Sequence, residues 1–299
     1  MAGDVLLTGF PGFLGSELVR RILARRGEAH RVGRVICLVQ AKFADLAARR
    51  AEEIEASDPG FAGRIELVEG DITVAGLGLD GPAALARRVR EVFHLAAVYD
   101  LEVRRALAMK VNVEGTRHVL DFAATAAKLE SVQYVSTCYV SGSYAGIFRE
   151  SDLDKGQSFQ NAYEESKFLA EVEVRKHRDE GLPVTIYRPG IVVGDSHSGE
   201  TQKYDGPYFI LRWLLKQPSI AALPVPPGAQ RLRVNLVPRD FVVGAIDALS
   251  TEPAARGLCY QLADPDPPTI DETIRMFGEA TARTIVRIPM PLAIAKGAT

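Results

Sequence analysis

The chain has 299 residues, 47% of them hydrophobic, with a formal net charge of −2. That suffices for one extended α/β domain or a core with a small lobe, and the near-neutral charge gives no electrostatic case for nucleic acid or a polybasic membrane anchor. Cys37, Cys138 and Cys259 lie far apart, without metal-ligand spacing, and read as buried reduced thiols, which fits a cytoplasmic setting.

The first strand, Val5–Thr8, starts too early to leave room for a signal peptide. No apolar run is long enough to span a bilayer; peripheral membrane contact stays open. The strand runs into Thr8-Gly9-Phe10-Pro11-Gly12-Phe13-Leu14-Gly15, after which Leu14, Leu18, Ile22 and Leu23 recur at helical spacing as far as Arg26. A strand, a glycine turn and a helix in this order present free N–H groups and the positive helix end to an anion such as a dinucleotide pyrophosphate. Gly9 permits the tight turn, Gly12 the close approach of the phosphates, and Gly15 the packing of helix on strand. Thr8, Pro11, Phe13 and Leu14 complete the expected cofactor lining here.

The second strand, Val35–Val39, is apolar throughout, as a strand buried on both faces should be. It ends in Gln40-Ala41-Lys42. An acidic residue at this tip selects NAD and a basic one accepts the extra phosphate of NADP, so Gln40 and Lys42 favour NADPH while leaving NADH open. Asp45 to Glu55 reads as a solvated helix and Asp58-Pro59-Gly60 as a turn. Ile65–Glu69 is the third strand, followed by Asp71, a turn or cap residue in its own right, and Ile72. Glu91–Leu95 is the fourth strand and ends in His94-Leu95-Ala96-Ala97. The alanines let the backbone pass close to a ligand; His94, with no acidic partner in sequence, reads as structural. A helix is expected from Val103 to Ala127. Within it Asn112 is a polar residue on an apolar face and needs a partner, expected to be the catalytic strand.

Ser131–Val135 is the fifth strand. Tyr163 and Lys167 then open a helix reaching Asp179 and, four residues apart, share one of its faces. A tyrosine ionises near ~10, and a nearby lysine cation lowers that value. The pair can then exchange a proton with a substrate oxygen. The sixth strand is Val184–Tyr187. Beyond Gly194, Pro207, Pro218, Pro224, Pro226 and Pro227 break the pattern, which suggests a lobe rather than more sheet. Asn235 to Pro238 reads as a strand returning to the core, with a helix after it. The alternation predicts a Rossmann-type, doubly wound parallel sheet. Its core would hold residues 1–193 with about 235–250, and a smaller C-terminal substrate-binding lobe would hold about 194–234 and 251–299. The apolar ending, Pro289 to Thr299, either packs on the body or leads into further chain.

The G-x-x-G-x-x-G turn and the downstream Y-x-x-x-K resemble the extended branch of the short-chain dehydrogenase/reductase superfamily. Val135-Ser136-Thr137-Cys138-Tyr139-Val140, Asn161 through Glu171, and Tyr187 through Ser196 are similar to segments of fatty acyl-CoA reductases. They are similar also to the thioester reductase domains of carboxylic acid reductases and peptide synthetases, the male-sterility-type NAD-binding branch. The resemblance implies that Thr137, counted back from Gly142, supplies the hydroxyl that polarises the reacting carbonyl, with Ser136 facing the other way. Asn112 joins Thr137, Tyr163 and Lys167 in the implied catalytic set, with a share in a proton relay left open. Asp71, Ile72, Leu95, Ala96, Ala97, Tyr163, Lys167, Arg188, Pro189, Gly190 and Ile191 are implied beside the cofactor, Lys167 holding its ribose and Arg188 more naturally a structural ion-pair partner. Two positions depart from the branch: Gln40 stands where a basic residue is common, and Gly190 where serine is common.

The implied activity is NADPH-dependent reduction of an acyl thioester, bound to CoA or to a carrier, giving an aldehyde and, with a second hydride, an alcohol. Tyr208, Phe209, Ile210, Leu211, Trp213, Leu214 and Leu215 would line an acyl channel or simply form core. A monomer or a homodimer fits. Three other readings stand beside it: an aldehyde or ketone reductase, a nucleotide-sugar epimerase or dehydratase using Arg231 and Arg233, and a non-catalytic NADP-sensing protein.

Overall fold

The apolar runs become strands of one sheet. A computed structural model describes residues 3–26, 32–202, 204 and 206–289. In chain order, β1 Asp4–Thr8, α1 Phe13–Ala24, β2 Val35–Val39, α2 Ala44–Ala56, β3 Ile65–Glu69, α3 Pro82–Ala86 and β4 Val89–His94 form the first half. Next come α4 Arg105–Ala108 and α5 Gly115–Ala124, joined by a π-helical turn over Met109–Glu114, and then β5 Ser131–Val135, α6 Ala162–Asp179 and β6 Val184–Pro189. β7 Ile191–Val193, α7 Pro207–Leu215, β8 Ile220–Val225, β9 Leu236–Pro238, α8 Arg239–Thr251, β10 Cys259–Leu262, α9 Ile270–Thr281 and β11 Thr284–Pro289 complete the described chain.

Seven strands make the main sheet, in the order β10-β6-β5-β4-β1-β2-β3, and every neighbouring pair is parallel. From β1 the sheet grows one way through β2 and β3 and the other way through β4, β5 and β6. The direction reverses between β1 and β4, and ligands of open α/β sheets bind outside the carboxyl ends of the strands at such a point. β2, β5 and β6 are buried along their whole length. Leu6, Ile36, Val92, Val132 and Ile186 join Val119, Leu120 and Ala123 of α5 and Ala170 and Val174 of α6 in one core cluster. Each large aliphatic side chain so buried contributes about 1.5–3 kcal/mol. α1 packs with α8, burying Leu18, Val19 and Ile22 on the one and Val242, Val243 and Ile246 on the other.

The chain divides into two compact units. The first runs to Pro189 and takes in Arg239–Leu262; the second holds Gly190–Pro238 and continues from Ala263. This moves the expected boundaries. β7 and β9 pair with each other in a small parallel sheet, so residues 190–193 and 235–238 belong to the second unit, and Asn235 to Pro238 does not return to the main sheet. Conversely, residues 251–262 belong to the first unit, because β10 pairs along β6 from Cys259↔Ile186 to Leu262↔Pro189. Nor is the lobe free of sheet: β8 and β11 pair in parallel, and Leu223, Val225, Ala229 and Ile274 form a small core of their own. The apolar ending from Met290 onward lies outside the described residues.

Candidate active site

The turn between β1 and α1 has the close contacts that glycine alone allows. Gly9 has a φ of +97°, and a Cβ on it would lie 2.9 Å from the backbone of Leu95 and Ala96. A Cβ on Gly12 or Gly15 would lie 2.7 Å or 2.5 Å from the Gly9 carbonyl oxygen. Two observations test whether a dinucleotide fits. No side chain caps the start of α1 and no acidic residue stands in its first turn, so its leading N–H groups are left for an anion. The Ser16 hydroxyl, in that same first turn, is a buried polar atom without a hydrogen-bond partner. The residues fit. Pro11, Phe13 and Leu14 complete the turn, and Phe13 lies under the Arg239 guanidinium at 5.2 Å.

Beyond the turn, the tips of β2 and β3 come together. The Gln40 side chain hydrogen-bonds the Asp71 carboxylate, which also accepts from the Thr73 amide at 2.8 Å. Burial pulls the Asp71 pKa upward, but these hydrogen bonds outweigh it and hold the group below its usual value. Lys42 is exposed, its ammonium resting on the Phe43 ring at 4.9 Å. Ile72 is buried against Gly115, where a Cβ would meet it at 2.9 Å. At the end of β4 the Leu95 amide donates to the Thr8 carbonyl and the Ala96 amide to the Thr8 hydroxyl, which presses Leu95-Ala96-Ala97 against the glycine turn. Thr8 therefore works through its side chain inside the frame.

The second cluster forms where β5 ends and α6 begins. Asn161 caps α6, accepting from the Glu164 amide at 2.9 Å, and so fixes the turn that presents Tyr163. The Thr137 side chain hydrogen-bonds Tyr163 and accepts from the Tyr139 amide. Ser136 points elsewhere and donates to Glu171 at 2.7 Å. Burial pushes the Tyr163 hydroxyl up to about 12, partly opposed by the Thr137 hydrogen bond. Lys167 is 3% exposed; burial lowers its pKa to about 7, opposed by the Glu171 charge.

These positions correct several expectations. Lys167 Nζ donates to the Tyr134 hydroxyl at 3.0 Å and the Val135 carbonyl at 2.9 Å. Two of its three donors are thereby committed to β5, and burial, the dominant influence on the Tyr163 phenol, holds its pKa above the ordinary value. Asn112 is not tied to the catalytic strand. It bonds both the amide and the carbonyl of Val98 and donates to Ser166 of α6. It sits in the π-helical turn, a local widening often found at functional sites. These bonds make Asn112 a fastener of the loop after β4 to α6. Arg188 is fully buried in an ion pair with Glu171 at 2.6 Å and donates to the carbonyls of Arg149 and Asp152, so its side chain belongs to the frame and not to a cofactor surface. Pro189 ends β6. Gly190 and Ile191 open the second unit; a Cβ on Gly190 would lie 2.8 Å from the Asn235 carbonyl oxygen, which explains glycine where serine is common. Cys138 is half-buried rather than buried.

Sequence reasoning missed Tyr134, Glu171 and Ser166. A signal existed for two of them: a tyrosine in an otherwise apolar strand needs a polar partner, and Glu171 follows Lys167 by one helical turn.

Among the described residues no helix is long and apolar enough to cross a membrane, and no group of side chains suits a metal ion. A family model described as "Male sterility protein", an NAD-binding domain, matches residues 7–246. A linear gramicidin synthase of Brevibacillus parabrevis is 31% identical over 280 residues, covering 90% of this chain and 5% of that one. Carboxylic acid reductase of Mycobacterium tuberculosis is 30% identical over 312 residues, covering 93% and 26%. The chain thus spans only a fraction of these curated relatives. The terminal R domain from the myxalamid PKS-NRPS biosynthetic pathway superposes with a TM-score of 0.81 at 29% identity, covering all of this chain and 75% of that one. An NAD-bound dTDP-glucose 4,6-dehydratase from Streptomyces venezuelae, at 24% identity and a TM-score of 0.72 over 96% of this chain and 85% of that one, shares the fold. A family match over most of the sequence and a sheet in Rossmann order agree: the chain belongs to the male sterility protein family of NAD-binding domains, on the extended short-chain dehydrogenase/reductase fold.

Proposed function

We propose that the protein is an NADPH-dependent reductase of acyl thioesters, releasing an aldehyde and a thiol. The observation that carries this reading is the contact between Thr137 and Tyr163 beside a buried Lys167, on the same sheet as the bare glycine turn. A bound nicotinamide would supply the hydride. The hydroxyls of Thr137 and Tyr163 donate to the carbonyl oxygen of the substrate as negative charge develops on it. With its pKa raised to about 12, Tyr163 is a phenol at neutral pH, the state a proton donor needs for reduction. Loss of the thiol then leaves the aldehyde.

The names of the relatives, a carboxylic acid reductase and a fatty acyl-CoA reductase of Drosophila melanogaster among them, support acyl over sugar-nucleotide chemistry. So do Phe209, Ile210, Trp213 and Leu215 of α7, apolar side chains left exposed while the neighbouring Leu214 is buried. A substrate-binding role for the second unit is part of the same proposal. The lack of an acidic residue at the β2 tip and the exposed Lys42 support NADPH over NADH.

The test is anaerobic NADPH oxidation with a long-chain acyl-CoA, the matching aldehyde and a UDP-sugar. Oxidation with the acyl-CoA and release of free CoA is the expected result. Oxidation with the aldehyde alone would make the protein a carbonyl reductase, and oxidation with none of the three would remove the acyl-CoA assignment.

A further inference from the structure

A buried polar chain links the catalytic lysine to the nucleotide turn. Lys167 Nζ donates to the Tyr134 hydroxyl at 3.0 Å, and Thr116 is the further hydrogen-bond partner of that hydroxyl. Thr116 Oγ1 lies 2.9 Å from His94 Nε2, and His94 Nδ1 lies 2.7 Å from Thr8 Oγ1. Thr8 immediately precedes Gly9. The five side chains come from five different elements, α6, β5, α5, β4 and β1, and none is more than 3% exposed.

Buried polar groups destabilise a fold unless each is hydrogen-bonded, and here each of the five side chains has a partner. An ammonium only donates, so the Tyr134 hydroxyl accepts from Lys167. Burial and the Lys167 charge hold the His94 pKa down to about 3. The neutral ring has one donor and one acceptor nitrogen and joins Thr116 to Thr8 in either tautomer.

We propose that Tyr134 is a positioning residue for Lys167, and that Thr116, His94 and Thr8 extend its hold to the nucleotide turn. The catalytic weight of Lys167 rests on the reductase reading; the hydrogen-bonded chain does not. The titratable groups around Lys167 are Tyr134 on β5, His94 on β4, and Tyr163 and Glu171 on α6 itself. Removing the Tyr134 hydroxyl takes an acceptor from the charged amine and leaves the ring under it, 4.6 Å away.

The whole chain, labelled with 13C at lysine Cε, is titrated by NMR without substrate, and the Lys167→Met spectrum assigns the signal. Tyr134→Phe lowers the Lys167 inflection by about one unit, a tenfold change in its ionisation constant. Thr116→Val lowers it by less. Tyr187→Phe removes another buried hydroxyl, one that donates to Gln133 at 2.7 Å, and leaves the inflection in place. An unchanged inflection in Tyr134→Phe, or an equal shift in Tyr187→Phe, overturns the proposal. An unchanged inflection in Thr116→Val overturns its extension toward the turn. Failure of the reductase reading would show separately, as wild-type protein that titrates in this way and turns over no thioester.

Discussion

The glycine turn and the proposed catalytic cluster lie on one sheet and are built in opposite ways. The turn works by what its side chains lack: Gly9, Gly12 and Gly15 pack backbone on backbone, and α1 starts with no cap. The catalytic cluster works by polar groups forced into burial, with Thr137, Lys167, Tyr134 and Glu171 each held by partners. The contrast teaches that the first region is sensitive to any added atom and the second to the loss of particular ones.

The largest expected effect follows from removing one atom in the cluster. Tyr163→Phe keeps the ring and loses the proton donor; turnover falls by about 10²–10⁴-fold, while NADPH binding followed by fluorescence is unchanged. Loss of binding as well would make Tyr163 part of the cofactor frame and erase the contrast.

Adding one atom to the turn is the complementary change. In Gly15→Ala the new Cβ would sit 2.5 Å from the Gly9 carbonyl oxygen, so backbone must move. Overpacking of this kind costs about 1–3 kcal/mol, measured by urea unfolding, and NADPH affinity falls with it. Wild-type affinity and stability in this variant would show that the turn has room to spare.

A smaller effect concerns pH. Burial depresses the Lys167 amine from its ordinary 10.5 to about 7 in the fold. Between those values the unfolded chain holds a proton that the folded chain does not. Stability from this group is therefore complete above the unfolded value, and is lost as pH falls toward and through the folded one. Lys167→Met should flatten the rise of unfolding free energy between pH 7 and 10.5, read from urea titrations across that window. An identical slope in both proteins would mean that the amine is not desolvated.

The smallest effect lies at the exposed edge. Lys42→Ala weakens NADPH by about fivefold, the size of a solvated charge contact, and leaves NADH unchanged in parallel titrations. Equal weakening of both would take the phosphate preference away from Lys42.

Much of this was legible in the sequence for a definite reason. Parallel strands covered on both faces must be apolar at every position, so Val35-Ile36-Cys37-Leu38-Val39 announces β2, and the glycine turn after β1 announces its helix. β10 was missed because Cys259-Tyr260-Gln261-Leu262 is a short edge strand of mixed polarity, visible only through its pairing with β6. β8 alternates exposed and buried residues, a pattern obscured by Pro224 within it and by Pro218, Pro226 and Pro227 beside it. Thr137 and Tyr163 were legible as residue types in a motif, and the structure brings them into contact. The partner of Lys167 was not, because Tyr134 becomes its neighbour only when α6 packs across β5.

The most direct measurement follows the hydride. The protein is incubated with an acyl-CoA and NADPH carrying deuterium on the transferable face of the nicotinamide, and the aldehyde is trapped and weighed by mass spectrometry. The expected result is one deuterium on the aldehyde carbon for each free CoA released, with both products formed at least about a hundredfold more slowly by Tyr163→Phe. Free CoA without labelled aldehyde, or undiminished labelled aldehyde from Tyr163→Phe, would contradict a thioester reductase working through that phenol.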